Sequence, residues 1–146
     1  MTHDPGETGT VALRSDAQEE VPAVANPVRA LVPMAHVRNV PTSVAFYRRF
    51  GFEVQNSFTP SGQQEPSWAS LFSDRAQLML ARADEPVIAS QQAVLFYEYC
   101  DDVTALRERL MAEGVEPGPI QYPFYAPRGE FRIHDPDGYV IMVTHT

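Results

Sequence analysis

From Ala30 onward, apolar and polar positions follow two rhythms: short runs with strand-like alternation, and stretches with apolar residues three or four apart. Ala30 to Arg38 is an extended run. Thr42 or Ser43 can cap a helix that carries Val44, Phe46, Tyr47 and Phe50 on one side, and Gly51 stands where a left-handed backbone ends it. Three strands are predicted next, Phe52 to Phe58, Ser67 to Ser73 and Ala76 to Arg82, separated by Pro60-Ser61-Gly62 and by Ser73-Asp74-Arg75. A loop from Ala83 to Gln92 leads into a second series. Val94 to Cys100 reads as a strand, and Asp101 or Asp102 caps a helix with Val103, Leu106, Leu110 and Met111 on its buried face, closed by Gly114. Strands follow at about Ile120 to Tyr125, Glu130 to His134 and Tyr139 to Thr144. Before the last of them, Asp135-Pro136-Asp137-Gly138 has the proline and glycine placement of a type I turn.

The two series are one pattern written twice. Asn39-Val40 returns as Asp102-Val103, Gly51-Phe52-Glu53 as Gly114-Val115-Glu116, and Leu78-Met79-Leu80 as Ile141-Met142-Val143, each 63 residues on. A repeat of this length means two copies of one supersecondary module, each a strand, a helix and three strands.

Composition narrows the function classes. The 146 residues make one ordinary domain with 44% hydrophobic and 21% charged residues, as in a soluble globular protein. No apolar run approaches the roughly 18 to 20 residues that span a bilayer, so no membrane is expected as partner. The single cysteine, Cys100, excludes an internal disulfide and fits a reducing, cytoplasmic setting. All eleven basic residues are arginine, which removes lysine Schiff-base chemistry and a phosphate-loop lysine. The net charge of -8 repels nucleic acid and favours a neutral or cationic ligand. Residues 1–27 read as a disordered acidic tail, with five acids against Arg14 up to Asn26 and neither the basic nor the apolar region of a signal peptide.

The phrases Asn39-Val-Pro-Thr-Ser-Val-Ala-Phe-Tyr-Arg-Arg-Phe-Gly-Phe, Ser67-Trp-Ala-Ser-Leu, Asp101-Asp-Val-Thr-Ala-Leu and Arg128-Gly-Glu-Phe-Arg-Ile-His-Asp-Pro-Asp-Gly-Tyr resemble the vicinal oxygen chelate superfamily. That group includes glyoxalase I, extradiol dioxygenases, fosfomycin-resistance enzymes and bleomycin-resistance proteins. The resemblance covers about residues 29 to 145. It implies an α+β fold in which two tandem βαβββ modules, about 29–82 and 93–145, form a curved mixed sheet cup with the helices on its outer face. In metal-dependent members it further implies ligands on the first and last strands, typically two histidines and a glutamate.

The repeat makes that implication checkable. Alignment through Asn39 and Asp102 puts the first-strand positions at Val32 and Leu95, and alignment through the Asp135-Pro-Asp-Gly turn puts the last-strand positions at Met142 and Met79. None offers a carboxylate oxygen or an imidazole nitrogen, so neither a metal nor another cofactor is expected, and the methionines read as cup or core lining.

Alternation puts Val32, Met34 and His36 on one strand face. If that face is the cup, His36 is a ligand-contacting or acid-base residue; otherwise it is a hydrogen-bonded structural histidine. The same parity puts Leu95, Tyr97 and Tyr99 in the cup and Phe96, Glu98 and Cys100 beneath the helices. Glu98 then needs an arginine partner, partial exposure or a raised pKa, unless a bulge breaks the alternation. Arg132 and His134 face the cup if Phe131 and Ile133 face the helices, with hydrogen bonding to the Asp135 turn as the other role for His134. The 63-residue offset then places Ala69 and Leu71 in the cup and turns Trp68 away, in conflict with a ligand-stacking role for this sole tryptophan. A two-histidine metal site would need Glu98 or Glu130 nearby, which no spacing demands. Cys100, beside Asp101 and Asp102, reads as inert and buried. No nucleophile elbow, phosphate-cradling glycine loop or Cys-x-x-Cys pair is present.

Two functions fit. One is a metal-independent protein, similar to the bleomycin-resistance branch, that sequesters a cationic or aromatic drug or metabolite in a cup or dimer cleft. Its candidate contacts are Met34, His36, Trp68, Tyr97, Tyr99, Phe124, Tyr125, Arg132 and Met142. The other is a lyase or isomerase with noncanonical residues, using His36, Glu98, Arg132 and His134. Open sheet edges predict a homodimer in either case.

Overall fold

Pro33 has no N–H to give a neighbouring strand, and the first strand begins just after it, β1 at Met34–Val37. The extended run expected from Ala30 is thus paired only in its last part. The computed structural model describes residues 27–146, so the tail expected at the N-terminus lies, but for Pro27, outside the described residues. Asn39 has an extended backbone, and its side chain accepts from the Thr42 N–H at 2.8 Å, so the cap of helix α1 (Val40–Arg48) is Asn39 rather than Thr42 or Ser43. Pro41 sits in the first turn, where a missing N–H costs nothing. The remaining elements are β2 (Glu53–Phe58), β3 (Trp68–Ser73), β4 (Ala76–Arg82), β5 (Leu95–Cys100), α2 (Val103–Ala112), β6 (Glu130–His134) and β7 (Val140–His145). Asp102 caps α2 through the Ala105 N–H at 2.9 Å, and Met111, expected on the buried face of α2, is exposed.

The strands form two open sheets, ordered β1-β4-β3-β2 and β5-β7-β6, in which the first and last strands of each module run parallel. Two helices beside two mixed sheets make the α+β arrangement expected from the repeat. One element of the repeat is missing from the second sheet. Between Ile120 and Tyr125 only Gln121 pairs, in an isolated bridge to Glu130. Pro117 and Pro119 precede this stretch and Pro123 lies within it, all residues that cannot donate to a ladder, and the chain turns back on itself where Ala126 N–H reaches the Pro123 carbonyl at 2.9 Å.

A single apolar core lies between helices and sheets. It joins Tyr47 of α1 and Leu110 of α2 to Leu71 and Leu80 in the first sheet and to Phe131 and Ile141 in the second. At its centre the Asp135–Gly138 turn of the second module is bound to the first. The Tyr47 hydroxyl donates to Asp135 Oδ2 at 2.7 Å, and the Arg38 N–H and Ser43 hydroxyl donate to the two oxygens of Asp137 at 2.8 and 3.3 Å. The Tyr139 hydroxyl donates to the His36 carbonyl at 2.8 Å, so one turn fixes the second module against β1 and α1. Burial raises the pKa of Asp135 despite the opposing bonds from Tyr47 and from two backbone N–H groups, and it carries the Tyr47 hydroxyl well above the ordinary tyrosine range.

Candidate functional site

Strand register decides which side chains share a face, because directly paired residues point the same way. In the first sheet Met34 pairs with Met79 and Met79 with Ser70, while His36 pairs with Ala81 and Ala81 with Trp68. In the second, Tyr97 pairs with Met142 and Met142 with Arg132, while Tyr99 pairs with Thr144 and Thr144 with Glu130. A third row joins Leu95, Val140 and His134. Met34, His36, Leu95, Tyr97 and Tyr99 are exposed, whereas Ala35, Val37 and Phe131 are buried toward the helices, so these rows line the open face of the sheets.

The placement of Trp68 follows from one residue. Ser70 pairs with Met79 and Arg132 with Met142, so the modules are offset by 63 residues on their last strands and by 62 on the strands before them. The β3–β4 turn is one residue shorter than the β6–β7 turn, and that difference flips every side chain on β3 relative to the uniform offset. Ala69 and Leu71 are therefore core residues, contrary to the uniform offset, and Trp68 lies half-buried on the open face in the same row as His36, with Ala81 between them, at the position that Glu130 holds in the second module.

The candidate contacts thus fall into two groups. Met34, His36 and Trp68 belong to the first sheet; Tyr97, Tyr99, Arg132 and Met142 belong to the second. Tyr97 and Tyr99 have ring centroids 6.4 Å apart, and Tyr97 is 50% and Tyr99 64% exposed. Phe124 and Tyr125 stand in the loop before β6, with centroids 5.4 Å apart and Phe124 95% exposed. Tyr125 is tied to the second group, its hydroxyl donating to Glu130 Oε1 at 3.0 Å. The side chains of His36 and His134 make no hydrogen bond among the described residues, and both are exposed.

An open depression of about 690 Å³ adjoins the second group. Its floor includes Glu130, Arg132, His134 and Met142, and its wall is the Glu116–Gln121 stretch. Glu130 is 5% exposed, and its Oε2 has no hydrogen-bond partner among the described residues. The alternation that places Arg132 in the cup also places Glu130 there, which is the signal the sequence carries for it.

Glu98 is separated from these residues. The β5–β7 register runs without a bulge, so Glu98 lies on the opposite face from Tyr97 and Tyr99, and none of the ion pairs joins it to an arginine. Some of the residue still meets solvent, but its carboxyl is desolvated, and burial pushes its pKa up to about 8. Cys100, on the same face, is half-buried, and burial raises its pKa further than its acidic neighbours do. Val32 precedes β1, and Leu95, Met79 and Met142, the other positions aligned through the repeat, carry only alkyl and thioether side chains. Among the described residues no three His, Cys, Asp or Glu side chains are grouped to hold a metal ion.

Known proteins with this architecture bear names of both binding proteins and enzymes. A bleomycin resistance determinant encoded on transposon Tn5 aligns over 82% of this chain and 98% of its own, with a TM-score of 0.65 and 15% identity. The bleomycin-binding protein of Streptomyces verticillus, solved with copper(II)-bleomycin, aligns over 82% and 98% with a TM-score of 0.60 and 20% identity. A lactoylglutathione lyase from Agrobacterium tumefaciens aligns over 82% and 95%, at 0.59 and 21%. At these identities the likeness shows the fold alone. Among curated proteins no sequence matches significantly. A family model matches residues 31–143, and on this evidence the chain belongs to the glyoxalase/bleomycin resistance protein/dioxygenase superfamily.

Proposed function

We propose that the protein binds a small organic molecule on the open face of its sheets, without a resident metal and without transforming it. The observation that carries this reading is the exposure of Tyr97 and Tyr99 beside Met142, with Phe124 and Tyr125 close by in sequence to the floor of the depression. Large aromatic surface left in water is costly, and planar ligands recover it by stacking. The alkyl and thioether side chains at the positions aligned through the repeat support a metal-independent site. The names of the bleomycin-binding relatives support sequestration as the role. The enzymatic alternative draws less support, because Glu98 and His36 lie in different sheets and Glu98 faces away from the cup.

The remaining parts of the proposal concern setting and assembly. β1, β2, β5 and β6 are sheet edges, and a homodimer would cover edges and exposed aromatics such as Phe124 together. Sedimentation at micromolar concentration should give twice the chain mass of 16.3 kDa, and a monomer at that concentration would contradict the dimer. The single cysteine supports a cytoplasmic setting, and among the described residues no helix is long and apolar enough to cross a membrane.

Intrinsic fluorescence, from Trp68 on the open face of the first sheet and from Tyr97 and Tyr99 on the second, is the readout of binding. Titration of EDTA-treated protein with bleomycin and a panel of planar aromatic compounds should give saturable fluorescence change. Tyr97→Ala should weaken the best ligand about tenfold or more, as for a buried aromatic anchor. Saturation that requires an added divalent metal would refute the metal-independent reading.

A further inference from the structure

The unpartnered oxygen of Glu130 identifies the chemistry that the depression accepts. A carboxylate oxygen sealed from water normally has a donor, because removing it from solvent without one is costly. Here the Tyr125 hydroxyl serves Oε1 alone, and the cross-strand neighbour Thr144 makes no bond to Oε2. Arg132 lies two residues along the same strand face, about 7 Å away by strand geometry, but forms no ion pair with Glu130. His134 is farther along that face and makes no bond to Glu130 either. Trp68 stands at the equivalent place in the first module, so the duplicated fold does not require an acid there.

Resting on the ligand-binding reading above, we infer that Glu130 is a specificity residue, and that the ligand places a planar cationic nitrogen group, an amidinium or guanidinium, beside this carboxylate at the edge of the depression, with Oε2, sealed in the ligand-free protein, turning toward it on binding. A charge-assisted hydrogen bond is roughly twice as strong as a neutral one, and a planar N–H fork fits a carboxylate edge. The net charge of -8 draws a cation toward the site from a distance. Tyr125 serves as a positioning residue, holding the carboxylate through Oε1 and leaving Oε2 for the ligand.

The test uses benzamidinium, neutral benzamide and benzoate, with binding followed by amide NMR shifts of the full chain. Benzamidinium should bind at least about tenfold more tightly than benzamide, with the largest shifts at Gln121 and Glu130, and benzoate more weakly than either. Glu130→Gln should erase the preference for benzamidinium over benzamide, with a thermal midpoint no lower than that of the wild type showing that the variant is folded. Equal binding of benzamidinium and benzamide, or a preference that survives Glu130→Gln, overturns the assignment of Glu130 while leaving the ligand-binding reading intact. If Glu130→Gln changes the oligomeric state and not probe affinity, the missing donor comes from a second copy and the assignment also fails. Silence of all three probes, of bleomycin and of the aromatic panel removes both readings.

Discussion

Glu98 shows how position on a strand sets the chemistry of a carboxyl. Alternation places it on the helix-covered face, where burial raises its pKa to about 8, so the folded protein holds a proton that the unfolded chain releases near pH 4.3. Between those values the native state binds more protons, and stability falls as pH rises; above about pH 8 the loss is complete. Glu98→Gln should therefore match the wild type near pH 4 and exceed it by about 5 kcal/mol above pH 8, as measured by urea unfolding at both pH values. An equal difference at both would show that packing, rather than ionisation, governs the position. Alternation alone made this placement legible. The lack of an arginine partner was not, since α2 carries Arg107 and Arg109, which turn to the Gly118 and Arg49 carbonyls.

The Asp135–Gly138 turn acts as an element in its own right. Its proline and glycine identified a turn in the sequence, but its attachment to Tyr47, Ser43 and Arg38 joins residues about 90 or more positions apart, which local patterns do not encode. Gly138 has φ +88°, and an added Cβ would run into the Cβ of Ala89. Gly138→Ala should cost more than about 1 kcal/mol, since both backbone and space oppose the methyl, measured as a lower denaturant midpoint. A neutral result would mean that the loop at Ala89 yields freely. The β3–β4 turn makes the complementary point. A single residue of difference between the modules reverses a strand's faces, so the repeat predicted the strand correctly and its orientation wrongly. The expected strand at Ile120 to Tyr125 failed for a simpler reason: its flanking and internal prolines cannot support a ladder.

Across the whole molecule, duplication supplies the architecture and divergence supplies the site. Both modules keep the strand-helix-strand core, but on their open faces Met34 and Trp68 stand where Tyr97 and Glu130 stand in the second copy. The fold was legible because the core repeats at a nearly constant interval. The site was legible only in part, because the depression depends on the Glu116–Gln121 stretch, where the second module departs from the repeat. The decisive experiment is calorimetric titration of EDTA-treated protein with its best planar aromatic ligand, followed by mass and proton NMR analysis of the recovered ligand. The proposed function predicts saturable heat in EDTA and a ligand unchanged in both mass and NMR spectrum. Heat that appears only after a divalent metal is added, or a ligand recovered with altered mass or an isomer's spectrum, would contradict it.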